Sequence, residues 1–364
     1  MIRGRFLLVA VGTLACGAAL AEPVRPRDDA TVLLTIPVGQ SRAASDFRLA
    51  KADLSRGPEN LTAALRTARL AIEQGRKWSD PRRYGEAQAA LSPWWSKAKP
   101  PQEVRVLRAV IKQALHDFRA ALVDLDAVLE GSPRNAQARL TRAFVRLVVG
   151  DIAGAREDCR SLPPAVGLLP AAACRARVAS LIGSGEEAYT SLSRSVARDS
   201  AADGTVLRFA LAILADIAQS LGRNDDADRH LRAAAAIGEP DVPLLVAMAD
   251  RLLDLNHAGD VLNLLDGKGD ADVLVLRRAI AAKRTNDPRL GLWSATLGER
   301  FATAKQAGVR SHPREEARFR LEVEADAVTA LRLAIENWST QKEIADARLL
   351  LECSIAAGRP EAAR

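Results

Sequence analysis

One spacing constrains this chain more than any other feature. Asp117 and Asp151 stand 34 residues apart, each followed at once by an apolar residue and, three positions on, by Ala120 or Gly154. The same offset carries Ala109 to Ala143 and Leu125 to Cys159. It returns further on, from Ala215 to Ala249, Gly222 to Asn256, Ala227 to Val261 and Leu231 to Leu265. Between the two blocks, Gly183 and Ala188–Leu192 supply a similar unit at slightly different spacing. A fixed period of this length belongs to repeat architectures, in which each unit buries its apolar face only against its neighbours. Length supports the same choice: 364 residues exceed the roughly 250–300 at which a single core stops growing.

Each unit reads as two helices. From Ser45 onward, apolar residues recur at helical spacing, broken by Gly, Pro or Asp-Pro. Apolar residues make up 48% of the chain but aromatic ones only 4%, and a chain rich in Ala and Leu favours helix over sheet. Small residues at facing positions let two helices approach to about 8–10 Å. The segments outside the clearest repeats follow suit. Pro58-Glu59-Asn60 opens a helix to about Glu73, and Asp80-Pro81 opens another that ends near Trp94 and Trp95. A long helix is expected from Asp287-Pro288 to Ala307, and His312-Pro313 starts one more. Gly358–Ala363 reads as a turn and the beginning of a last helix.

Ala109, Asp117, Phe118, Ala121, Leu122, Leu129 and Pro133 together resemble one unit of the tetratricopeptide repeat (TPR) family. Ala143, Gly150, Asp151 and Ala155 match a second unit; Ala176, Gly183 and Ala188, then Ala215, Gly222 and Ala227, match more loosely. The resemblance spans about 60–355 and is sharpest over 102–265. It departs from the family where Arg105 and Arg139 stand in place of an early Trp. It implies an all-α fold, a right-handed superhelical stack of antiparallel helix pairs, or TPR-like α-solenoid. It also implies a concave groove, lined by the first helix of each pair, that holds a peptide or partner protein. The inward-facing candidates are Val110, Gln113, Phe144, Leu147, Arg177, Asp216, Gln219 and Asp250. The family's clamp for a peptide carboxylate needs Asn where Val110 and Phe144 stand, so that clamp is not expected. Phe144 and Leu147 would instead form an apolar pocket, with Arg177 near an acidic ligand group.

Three segments are expected. Residues 1–21 have the layout of a signal peptide: basic Arg3 and Arg5, an apolar stretch, then the small-residue site Ala19-Leu20-Ala21. Cleavage after Ala21 points to the periplasm or to secretion. Thr13-Leu14-Ala15-Cys16 faintly resembles a lipidation box, the alternative being a lipid-anchored envelope assembly factor. Residues 22–44, with three Pro and a possible short strand at Thr31–Ile36, form an extended leader. Residues 45–364 form the repeat domain. No apolar run in the mature chain reaches the roughly 20 residues needed to span a bilayer. In an array of stacked pairs, Cys159 and Cys174 fall on neighbouring helices. An exported protein meets oxidising conditions, so a disulfide between them is expected, the alternative being two buried free thiols. Cys353 is left over.

No catalytic constellation emerges. The four His (His116, His230, His257 and His312) are isolated from one another and from Cys, so zinc spacing is absent. There is no phosphate-cradling Gly-rich loop, no Gly-x-Ser-x-Gly and no Cys-x-x-Cys. Asp225-Asp226 read as helix-start residues, and Asp124 and Asp126 cannot share a helix face. The net charge of +7 is mild, and acids are interleaved with the Arg throughout. Nothing resembles a basic block with interleaved aromatics, so nucleic acid is not an expected partner. The expected function is therefore non-catalytic protein or peptide binding in the bacterial cell envelope, with no cofactor and no metal. An enzyme whose site spans several repeats is the alternative from another class.

Overall fold

The computed structural model describes residues 42–199, 202–308 and 313–363. The expected signal peptide, Cys16, the leader through residue 41 and His312 lie outside them. Every regular element among the described residues is helical. Helix α1 (Arg42–Arg56) packs against α2 (Leu61–Trp78), which pairs with α3 (Pro81–Ala90); a single turn, α4 (Ser92–Trp95), follows. Seven more antiparallel pairs come next: α5 (Gln102–Ala114) with α6 (Phe118–Gly131), α7 (Ala136–Val149) with α8 (Ile152–Arg160), and α9 (Leu168–Leu181) with α10 (Gly185–Arg198). Then come α11 (Gly204–Ser220) with α12 (Asn224–Ala235), α13 (Val242–Asp254) with α14 (Ala258–Leu265), α15 (Asp272–Thr285) with α16 (Leu290–Gln306), and α17 (Pro313–Glu322) with α18 (Ala327–Trp338). The last long helix, α19 (Ile344–Ala356), packs on α18 and α17 and is followed by a 3-10 turn at Pro360–Ala363 that packs on it.

The 34-residue offset has a physical content in this stack. Ala109, Ala143, Ala121, Ala155, Ala249 and Val261 have no exposed surface, and Ala215 and Ala227 almost none. These are the positions where helices meet closely, and a larger side chain would force them apart. The turn between the two helices repeats as well. His116, Gly150, Gly183, Gly222 and Asn256 all adopt positive φ, between 60° and 89°. Glycine adopts that conformation without steric cost, and Asn more readily than most other residues. Just beyond it, the side chains of Asp117 and Asp151 accept hydrogen bonds from the amides of Ala120 and Gly154, capping α6 and α8.

A second repeat is ionic. Asp124 of α6 is buried against Arg108 (2.5 and 2.8 Å) and Lys112 (2.8 Å) of α5. Thirty-four residues on, Asp158 of α8 is buried against Arg142 (2.6 and 2.9 Å) and Arg146 (2.9 Å) of α7, with Arg139 at 3.3 Å. Each of these two pairs is thus closed by a carboxylate on the second helix gripping cations on the first. Asp126 points elsewhere, to Arg142, and stays half exposed.

Cys159 and Cys174 are joined by a disulfide, their Cα atoms 5.6 Å apart. The bond ties α8 to α9 across the Pro163-Pro164 connection, where a small core of Ala143, Leu147, Ala155 and Val178 surrounds it. Cys353 is a buried free thiol. Trp94 and Trp95 pack under the joint with α5, in the core of the first pairs.

The stack curls until its own turns meet. Helix α2 touches α13, and Lys77 at its end pairs with Glu239 at 3.1 Å. Farther along, the backbone N–H of Lys342 donates to the carbonyl of Val148 at 2.7 Å. The first helix of each pair therefore faces the inside of the curl, and α19 lies across it.

Candidate binding groove

The inner surface is built from α5, α7, α9, α11 and α13. A cavity of about 280 Å³ opens there, lined by Gln113, Phe144, Leu147, Val148, Arg177, Leu181 and Phe209, and closed on one side by Lys342, Glu343 and Ile344. Phe144 and Phe209 meet edge to face with ring centroids 5.4 Å apart, a favoured aromatic geometry. Leu147 is buried beneath them, while Phe209 keeps 40% of its surface exposed. Of the inward candidates, Gln113, Phe144, Leu147 and Arg177 thus converge on one cavity. Val110 is half-buried on α5 and lies outside that lining.

Arg177, Asp216, Gln219 and Asp250 all have partners within the protein. Arg177 stands 3.6 Å from Asp216 on α11. The groove walls crowd Asp216 and push its carboxyl above the usual range; Arg177 opposes the push and Glu343 adds to it. The side chain is 55% exposed, so this is the effect of nearby walls rather than of enclosure. Gln219 donates to Asp254 at 3.2 Å, and Asp254 accepts two bonds from Arg348 of α19 at 2.8 and 2.9 Å. Asp250 accepts from Arg277 of α15 (2.7 and 3.0 Å) and from Arg318 of α17 (2.6 Å). Gln219 and Asp250 therefore hold the curl together instead of presenting themselves to a ligand.

Burial works against the Asp250 carboxylate, but the two guanidinium groups prevail and hold it at about 2, below the ordinary 3.8. A depressed carboxylate stabilises the fold above its unfolded-state value and loses that contribution as pH falls through the folded value. Asp250→Asn is accordingly expected to cost about 2 kcal/mol at neutral pH, with the deficit against the parent shrinking between pH 4 and 2. Denaturant unfolding at pH 7 and pH 2.5 checks this. An equal deficit at both pH values would mean that Asp250 acts through shape rather than charge.

The lining residues missed at the sequence level are Val148, Leu181 and Phe209 on the first helices, and Lys342, Glu343 and Ile344 beyond them, together with the pairing residues Arg318 and Arg348. Val148, Leu181 and Phe209 lie on helices whose inward face the helical period could have extended to them, whereas the residues from 318 onward come from the far end of the chain, where no local pattern marks them as groove residues.

The fold and groove define a class: a TPR-like array of helix pairs, all-α among the described residues, curled around an inner surface. No protein-family model matches the chain, and no curated protein matches it. Among solved structures it is similar to a tetratricopeptide repeat protein from Parabacteroides merdae ATCC 43184, at 14% identity over 79% of this chain and 98% of that one, with a TM-score of 0.40. It is also similar to human IFIT1, solved as a dimer with m7Gppp-AAAA, at 12% identity over 87% of this chain and 82% of that one, again with a TM-score of 0.40. No helix among the described residues is long and apolar enough to cross a membrane.

Proposed function

We propose that this chain is a non-catalytic repeat protein of the bacterial cell envelope, exported by cleavage after Ala21, that holds an extended peptide or a partner protein along its inner groove. The observation that carries this reading is the cavity floored by Phe144, Leu147 and Phe209, with Arg177 and Asp216 beside it. An apolar floor supplies affinity, and a few placed charges fix orientation. The groove is held in shape by ion pairs between distant helices, so a ligand bears little ordering cost on the protein side.

Affinity capture from an envelope extract tests the reading. The full chain is expected to retain a protein that Phe209→Ala binds about fivefold or more weakly, since truncating a half-exposed aromatic anchor removes roughly 1–3 kcal/mol of binding. Equal capture by both forms would move the site off the groove. Because IFIT1 was solved with m7Gppp-AAAA, a capped oligoribonucleotide belongs beside the extract; retention of RNA in place of protein overturns the proposal. Mass spectrometry of the mature protein reads its export. A new terminus at Glu22 supports cleavage after Ala21, whereas a terminus at Cys16 with acyl mass supports the lipid-anchored form.

A further inference from the structure

The groove already holds a short extended segment of its own chain. Glu343 has extended backbone, with φ −80° and ψ 164°, and the two residues before it belong to no helix. The backbone N–H of Lys342 reaches the carbonyl of Val148, in the last turn of α7. Carbonyls there have no partner within their own helix, so this position is open to a donor from any passing chain. The stem of Lys342 lies on Gly150, where an added Cβ would come within 3.0 Å of its Cδ. That stem thus lies at the C-terminal end of α7, the electronegative end that favours a cation. Two residues on, Ile344 closes the cavity beside Phe144 and Val148 yet remains 51% exposed. The helices that carry this segment have a separate core of Ala317, Leu331, Ala334, Leu349, Leu350 and Cys353.

From this seating, which rests on the groove reading above, we infer that residues Lys342–Ile344 are an internal stand-in for the ligand. The groove takes extended peptide segments bearing a basic residue and, two positions later, an aliphatic one, and such a segment competes with the chain's own. The backbone donor engages Val148, the basic stem lies along Gly150 and the aliphatic side chain enters the cavity. Glu343 borders the cavity but spends its carboxylate on Arg314, at 2.6 Å, so the middle position is held by the segment's own helices. Occupation from within lowers the apparent affinity by the fraction of time the groove is free.

The test uses a fluorescent synthetic peptide copying residues 339–346, titrated by anisotropy into the full chain. Lys342→Ala combined with Ile344→Ala empties the two side-chain positions from within. Both residues are largely exposed, so the array keeps its fold, which circular dichroism verifies. The peptide is expected to bind this double variant about tenfold more tightly than the parent. A peptide with alanine at the same two positions is expected to bind neither chain. Hydrogen exchange gives a second reading: saturating peptide should speed exchange of the Lys342 amide in the parent while amides in α18 stay unchanged. Absent binding, equal binding to both chains, or equal binding of the alanine peptide overturns the inference. Failure here is separable from failure of the wider reading. Loss of envelope capture by Phe209→Ala without peptide competition retains the groove and rejects the stand-in. Peptide binding without any captured partner does the reverse.

Discussion

Replacing Asp158 by Ala is expected to lower stability by about 3–5 kcal/mol, the range for removing one partner from a buried ionic cluster. The side chain is 1% exposed and touches Arg139, Arg142 and Arg146. Its loss leaves three guanidinium groups facing one another around a vacated site, with Arg142 keeping the half-exposed Asp126 and Arg146 keeping Asp151 at 3.4 Å. The cost lies mainly in those uncompensated charges, more than in the attraction removed. Two controls sharpen the result. Asp158→Asn keeps the volume but not the charge and should recover little. Asp126→Ala removes a half-exposed partner of the same Arg142 and should cost under about 1 kcal/mol. Guanidinium unfolding followed by circular dichroism measures all three. A loss below about 1 kcal/mol for Asp158→Ala would show that the cluster is solvated in solution. Because repeat arrays lose cooperativity as they lengthen, the deficit is best read from a transition confined to the α7–α10 region by hydrogen exchange.

The second large effect is expected one residue away. Cys159→Ala with Cys174→Ala should cost about 2–4 kcal/mol, the usual contribution of a disulfide closing a loop of this size. The two positions are 15 residues apart in sequence and buried, so alanine introduces no polar group. Thiol reduction of the parent should reproduce the loss, and the double variant should not respond to reductant. Identical unfolding of parent and variant under oxidising conditions would mean that the bond adds nothing to stability. Asp158 and Cys159 fasten the two sides of one short helix, α8, to α7 and to α9; α8 is only nine residues long and a Pro-Pro connection follows. Their effects should therefore couple and not add.

The fold was legible because its rule is local. Ala109 and Ala143, or Ala121 and Ala155, are small for the same reason in each unit, and their spacing is visible without knowing what they touch. The turn signal was legible at Gly150, Gly183 and Gly222. The groove was legible only on one wall. Phe144, Leu147 and Arg177 follow from asking which face of a first helix points inward. Asp250 and Gln219 pass the same question, yet the structure gives Asp250 to ion pairs and Gln219 to a hydrogen bond with Asp254. Arg318 lies 68 residues from Asp250, and Arg348 lies 94 from Asp254. Those partners meet because small rotations accumulate from pair to pair, and no window of sequence carries that sum. The buried carboxylates had a signal that the apolar pattern overshadowed: Arg108, Lys112 and Asp124 recur as Arg142, Arg146 and Asp158 at the repeat offset.

The curl has a mechanical consequence. An open stack of helix pairs behaves as a soft spring, extending under small force because each unit contacts only its neighbours. Here Lys77–Glu239 and Lys342–Val148 tie one turn of the coil to the next. A pull on the two ends loads these cross-ties first, so the molecule resists at small extension and yields once they part. A partner that tugs on α19 would thus open the coil from the end that carries the stand-in segment, with tension and groove access rising together.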